Sequence, residues 1–86
     1  MKTTLYFTKL VMPRRPELKQ VRHRIEQAIT APLASTRQAD GRIRRWVFVP
    51  ETGKYLRVVL EADGETVRNA FYDRRFSDPR RPLAGN

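Results

Sequence analysis

The sequence predicts an α+β fold: one amphipathic helix packed on a small antiparallel sheet of about four strands, in the order β-α-β-β-β. Three observations carry that expectation. Two β-rich runs, "RIRRWVFV" and "KYLRVVLEADGETVRNAFY", are each bounded by turn-forming residues. A single stretch, from Pro16 to about Ile29, has its apolar residues at helical spacing. At 86 residues the chain has room for one modest core and no second one. Residues 1–76 are therefore expected as one domain, with 77–86 as a loose tail.

Taken in order, residues 3–12 are rich in Thr, Leu, Tyr, Phe and Val and read as a strand closed by Pro13. "MPRRP" is a rigid basic turn. In the helix that follows, Leu18, Val21, Ile25, Ala28 and Ile29 form the apolar stripe, Pro16 suits the first turn, and Ala31-Pro32 ends it. "PLASTRQADG", 32–41, reads as a loop, 42–49 as a strand and "PETG" as a hairpin loop. Asp63-Gly64 then predicts a type I′ turn, with Ala62 opposite Glu65, Leu60 opposite Val67, Val58 opposite Asn69 and Leu56 opposite Phe71. In this register one face is core, with Asn69 its polar exception. The other face carries Tyr55, Arg57, Val59 and Glu61 against Tyr72, Ala70, Arg68 and Thr66. The tail from Ser77 holds two prolines and little to bury.

A composition of 40% hydrophobic and 31% charged residues is ordinary for a folded domain, but a net charge of +9 is not. Such a chain seeks polyanions, with nucleic acid first and an acidic protein partner or an anionic membrane surface after that. Arginine outnumbers lysine 14 to 4, which suits bidentate phosphate recognition and stacking on bases. The absence of cysteine removes disulfides, thiolate catalysis and cysteine-based zinc sites together. One histidine and carboxylates without ligand spacing make metal chemistry improbable, and no cofactor is expected. Neither phosphate-loop motif is present, which disfavours nucleotide hydrolysis and dinucleotide binding. The run "TLYFTKLVM" is broken by Lys9 and lacks a cleavage site, and nothing reaches spanning length, so no membrane partner is expected and the cytoplasm is the default.

One helix covers only one side of a sheet, so the second face is where a ligand is sought. Tyr55, Arg57, Arg68 and Tyr72 would be neighbours there, pairing guanidinium groups for phosphate with rings for unpaired bases. "RIRRWVFV" has two registers. With Val47 and Val49 inward, Arg44, Trp46 and Phe48 join that face; with Trp46 and Phe48 inward, the safer reading for a lone Trp, Arg45 joins it instead. His23 lies nearly opposite the apolar stripe and reads as a solvated residue. The reaction class that these side chains could serve is metal-free RNA cleavage, in which the ribose 2′-hydroxyl attacks its own phosphate. Arg57 and Arg68 suit stabilisation of the phosphorane, while Tyr72, Tyr55, Glu61 and His23 are candidates for proton transfer.

"RRPELKQVRHRIEQAI", then "AP", then "GKYLRVVLEADGETVRNAFYDRRF" resembles the small phage- and toxin-associated proteins of the barnase, EndoU, colicin and RelE-like ribonuclease superfamily. The resemblance covers roughly residues 14–76, and its sharpest piece is "GKYLRVV". It implies an α+β fold with a ribonuclease-like sheet surface, commonly a toxin module neutralised by a partner, here an acidic antitoxin or immunity protein. Tyr55, Arg57, Ala70, Phe71, Asp73 and Arg74 match its pattern, whereas Arg15 stands where many members have histidine before Pro-Glu. Asp73-Arg74 also reads as a strand-end salt bridge. The expectation is a metal-independent endoribonuclease-like toxin domain. Its catalytic candidates are Arg57, Tyr72 and His23, with Tyr55, Arg68, Arg44, Arg45, Lys54, Arg74 and Arg75 holding RNA, free or ribosome-presented. The alternatives are a non-catalytic RNA- or ribosome-binding module, and a basic interaction protein for an acidic partner.

Overall fold

The computed structural model describes residues 1–81, and the chain is an α+β domain. Its sheet runs β1 (Ala34–Arg37), β2 (Ile43–Val49), β3 (Lys54–Leu60) and β4 (Val67–Tyr72), each strand antiparallel to the next. The helical stripe forms as expected. A 3₁₀ stretch, Pro16–Val21, leads into an α-helix, Arg22–Thr30, and buries Leu18, Val21, Ile25 and Ala28. Against these pack Val47, Val49, Leu56, Val58, Leu60 and Val67, all fully buried. Arg45 closes the helix from the sheet by donating to the Ile29 carbonyl at 2.7 Å, one of the acceptors that a helix end leaves unpaired.

The N-terminal strand is not formed. Phe7–Val11 makes a π-helical turn that continues into Met12–Arg14, so helical structure precedes all four strands. Thr4 starts it, its hydroxyl accepting the Phe7 N–H at 3.0 Å, and Phe7 and Val11, four residues apart, are buried together. Pro13 supplies no N–H and crowds the carbonyl one turn back, and the wide turn just before it relieves that crowding. Of the expected strand only a bridge remains, Thr3 beside Val67. The fourth strand comes instead from the expected loop, where Ala34–Arg37 pairs with Ile43–Trp46.

The β3–β4 hairpin also departs from the simple register. Asp63 does not take positive φ; only Gly64 does, at 75°, so the turn is not type I′. The Asp63 carboxylate accepts the N–H groups of Glu65 and Thr66 and the Thr66 hydroxyl instead, building a wider loop. Leu60 still pairs with Val67, but Val59 pairs with Asn69, Val58 with Ala70 and Leu56 with Tyr72. Arg68 is the extra residue of a β-bulge. Beyond it the faces exchange: Ala70 is fully buried and Tyr72 packs on the core, while Phe71 sits opposite Arg57 on the second face. Asn69 thereby leaves the core position that the simple register assigned to it.

This bulged register is open to test. Ala70→Leu should cost about 1–3 kcal/mol in urea denaturation, because it overpacks a closed site. A neutral substitution would place Ala70 on the open face.

Candidate nucleic-acid interface

The second face of the sheet is built from Arg44, Trp46 and Phe48 of β2, Tyr55, Arg57 and Val59 of β3, and Phe71 of β4. The strand "RIRRWVFV" thus takes the register with Val47 and Val49 inward, and Arg45, bound to Ile29, lies on the helix side and leaves the ligand set. Trp46 is nonetheless buried, because the segment after β4 folds back over it. Phe76 stacks on the indole with centroids 5.0 Å apart and 17° between planes, and meets the Tyr55 ring at 5.2 Å. Asp78 follows, buried, accepting from the Tyr55 hydroxyl at 2.6 Å and from Arg80 at 3.0 Å. The expected tail therefore begins with ordered contacts; residues 82–86 lie outside the described residues.

Arg57 is the pivot of this face. Its guanidinium donates to Asp73 Oδ2 at 2.9 and 3.1 Å and lies over the rings of Trp46 and Phe71, at 5.6 and 4.9 Å from their centroids. Trp46 Nε1 donates to the same oxygen at 2.9 Å. Burial works against the Asp73 charge, but these hydrogen bonds and one from the Arg75 N–H together outweigh it and hold the carboxyl below its ordinary value. The strand-end ion pair is thus Asp73 with Arg57, not with Arg74. Arg57 is already matched by a fixed carboxylate, which weakens it as a stabiliser of developing phosphate charge. Tyr55 is likewise committed. Its hydrogen bond to Asp78, with burial second, raises the phenol pKa and makes it a poor base.

Where β3 starts and β4 ends, a cleft of ≈ 280 Å³ opens, lined by Gly53, Lys54, Tyr55, Tyr72, Asp73, Arg74 and Phe76. The Lys54 ammonium stands 5.5 Å over the Tyr72 ring. Gly53 takes a left-handed φ of 67° in the β2–β3 loop, which brings Lys54 directly back into the strand. Lys54 and Arg74 are exposed and have no carboxylate partner among the described residues. Three rings and two uncommitted cations thus share one recess, with Asp73 neutralised by Arg57 behind it.

Of the sequence-derived candidates, Lys54, Tyr55, Tyr72 and Arg74 come together here, with Arg57 beside them; Tyr72 reaches the cleft from the core side, not from the second face. Arg44 shares the second face and keeps a buried Nε without a partner. Arg75 is exposed next to the cleft and ties its backbone to Asp73. Arg68, displaced by the bulge, lies over the Tyr6 ring at 4.8 Å instead of beside Arg57. Glu61 pairs with Arg42 at 3.0 Å and belongs to a separate cluster with Asp40.

His23 is exposed, but not alone. Its Nε2 lies 2.7 Å from Glu51 Oε2, and Arg24 reaches both oxygens of that carboxylate, at 3.0 and 3.3 Å. The Arg24 hydrogen bond foremost, then the Glu51 backbone N–H and His23, lower the Glu51 carboxyl from 4.5 to about 2. Glu51 and Phe76 were both missed from sequence. Glu51 is distant in the chain from its partners, and the pairing forms only when the β2–β3 loop meets the helix. Phe76 carried a signal, an aromatic with an acid two residues on in a segment otherwise polar. Comparison with protein-family models, curated proteins and solved structures finds no match to this chain.

The carboxylates set an acid limb. Folding favours the ionised forms of Glu51 and Asp63, so their contribution is complete above the ordinary values of 4.5 and 3.8 and is lost as pH falls through about 2. The melting temperature, followed by circular dichroism, should fall across that window, and Glu51→Gln with Asp63→Asn should flatten the fall.

Proposed function

We propose that this chain binds single-stranded RNA at the cleft between the start of β3 and the end of β4. The observation that carries the reading is the pairing of Lys54 and Arg74, both exposed and without carboxylate partners among the described residues, with the rings of Tyr55, Tyr72 and Phe76 in one recess. Cations on phosphate and rings on an unstacked base are how single strands are held without a duplex groove. The recess is at the small end of ligand sites and suits one base at a time. The excess of positive charge around it raises the rate of encounter with a polyanion. The resemblance to small ribonuclease-like domains supports RNA over other polyanions, and with it a cytoplasmic setting.

One observation favours a second reading, metal-independent cleavage in the manner of a ribonuclease toxin. His23 and the charged Glu51 form an imidazole–carboxylate pair of the kind that accepts and returns protons. In this reading Arg15 replaces the family histidine, and His23 takes the proton-transfer role.

Both readings are tested with end-labelled single-stranded RNA in EDTA. Lys54→Ala with Arg74→Ala should weaken binding, with circular dichroism unchanged. The same double variant should flatten the salt dependence by about 0.7 in log–log slope for each phosphate that is no longer neutralised. Unaltered affinity would remove the cleft from the interface. Fragments ending in 2′,3′-cyclic phosphate that vanish in His23→Ala would establish cleavage; intact RNA with a salt-sensitive mobility shift would leave binding alone.

A further inference from the structure

The large apolar side chains that stand exposed among the described residues are Met1, Leu5, Tyr6 and Leu10, all within the first ten positions. Leu5 is 74% exposed and Leu10 48%, on a segment whose Phe7 and Val11 are buried. Exposed apolar residues scattered singly need no account, but three on the open side of one short helical segment do. Beside them lies a cleft of ≈ 350 Å³ walled by Tyr6, Leu10 and Val11 on one side, with Arg14, Arg15 and Asn69 completing it. Arg68, the extra residue of the bulge, holds its guanidinium over the Tyr6 ring and adds a third cation.

The charge here is one-sided. No acidic residue precedes Glu17, and the one ion pair of the segment among the described residues ties Lys2 to Glu65. Lys9, Arg14 and Arg15 are exposed and have no carboxylate partner among the described residues.

We propose that the N-terminal helical segment is a docking surface for an acidic amphipathic helix of a partner protein. The partner's apolar stripe would cover Leu5 and Leu10, and its carboxylates, one turn apart, would reach Arg14, Arg15 and Arg68. Two features select this occupant. RNA carries no aliphatic groups to cover two leucines, so the patch is not an extension of an RNA path. An acidic amphipathic helix places carboxylates one turn apart directly beside its apolar stripe, which matches guanidinium groups lining a cleft next to exposed leucines. The inference is independent of the RNA reading, because it uses none of the residues of the β3–β4 cleft.

The probe is a fluorescein-labelled peptide of repeating Leu-Glu-Glu-Leu-Leu-Glu-Glu, titrated with the full chain and read by anisotropy. Tight, saturable binding is expected, absent for the same peptide with Lys in place of Glu. Two surface variants, Leu5→Ser with Leu10→Ser and Arg14→Glu with Arg15→Glu, should each weaken it at least about tenfold, or about 1.4 kcal/mol. Both pairs are exposed, and circular dichroism checks that each variant folds. No binding by the wild-type chain would overturn the proposal, as would equal binding by the leucine variant. Two further outcomes would also overturn it, by assigning the patch elsewhere. One is binding of phosphatidylglycerol-containing vesicles, but not of the peptide, that is lost in the leucine variant. The other is concentration-dependent dimerisation in sedimentation that the same variant abolishes.

Discussion

Arg68 is one residue too many for the ladder between β3 and β4, and the second half of the molecule is arranged around that surplus. Because side chains alternate along a strand, one inserted residue sends every later one to the opposite face. Ala70 enters the core, where its small side chain fits, and Phe71 meets Arg57. Asp73 then comes alongside Tyr55, its N–H donating to the Tyr55 carbonyl at 2.9 Å. From that place its carboxylate reaches both the indole of Trp46 and the guanidinium of Arg57. Without the bulge, Asp73 would turn toward the helix side, and the segment that carries Phe76 and Asp78 across the sheet would lose its tie to Trp46 Nε1 and Arg57.

Acidic residues are scarce in this chain, and the structure assigns most of them to internal tasks. Asp63 builds a turn, Glu51 fastens the β2–β3 loop to the helix, and Asp73 and Asp78 pin the returning segment. Each such use neutralises at most a few nearby cations and leaves the others facing solvent. The uncommitted positive charge gathers at two places with different neighbours. At the start of β3 it stands among aromatic rings; at the N-terminal helical segment it stands among leucines. Like charge beside unlike apolar groups is the physical difference between the two proposed sites.

The sequence made β2, β3, β4 and the helical stripe readable because each carries its own period; burial follows that period along the helix and most of β2 and β3, and breaks it at the bulge in β4. The N-terminal segment misled, since Thr, Tyr, Phe and Val favour strands. Its helical signs were fewer: Thr4 as a cap and Phe7 with Val11 one turn apart. β1 has no apolar alternation to betray it and exists because β2 offers it a ladder. The bulge was half legible. Asn69 in a core position was a contradiction in the simple register, and the extra residue resolves it. The candidate site was legible in composition, through Lys54, Tyr55, Tyr72 and Arg74. It was not legible in roles, because which guanidinium remains uncommitted depends on where Asp73 and Asp78 land.

The pairing of Thr3 with Val67 reaches beyond the N-terminal segment. A sheet of four strands has two borders, and each presents backbone groups to which a foreign strand can add. Along β4, Lys2 and Thr4 occupy the backbone groups of Val67 before the chain turns into its helix. The other border, β1, is four residues long, polar, and ends in an exposed arginine. One border is thus blocked in part by the chain itself, and the other is too short and too charged to template much. A strongly β-forming sequence is in this way kept from growing into stacked sheets, and the burden falls on a few residues that have no role at either proposed site.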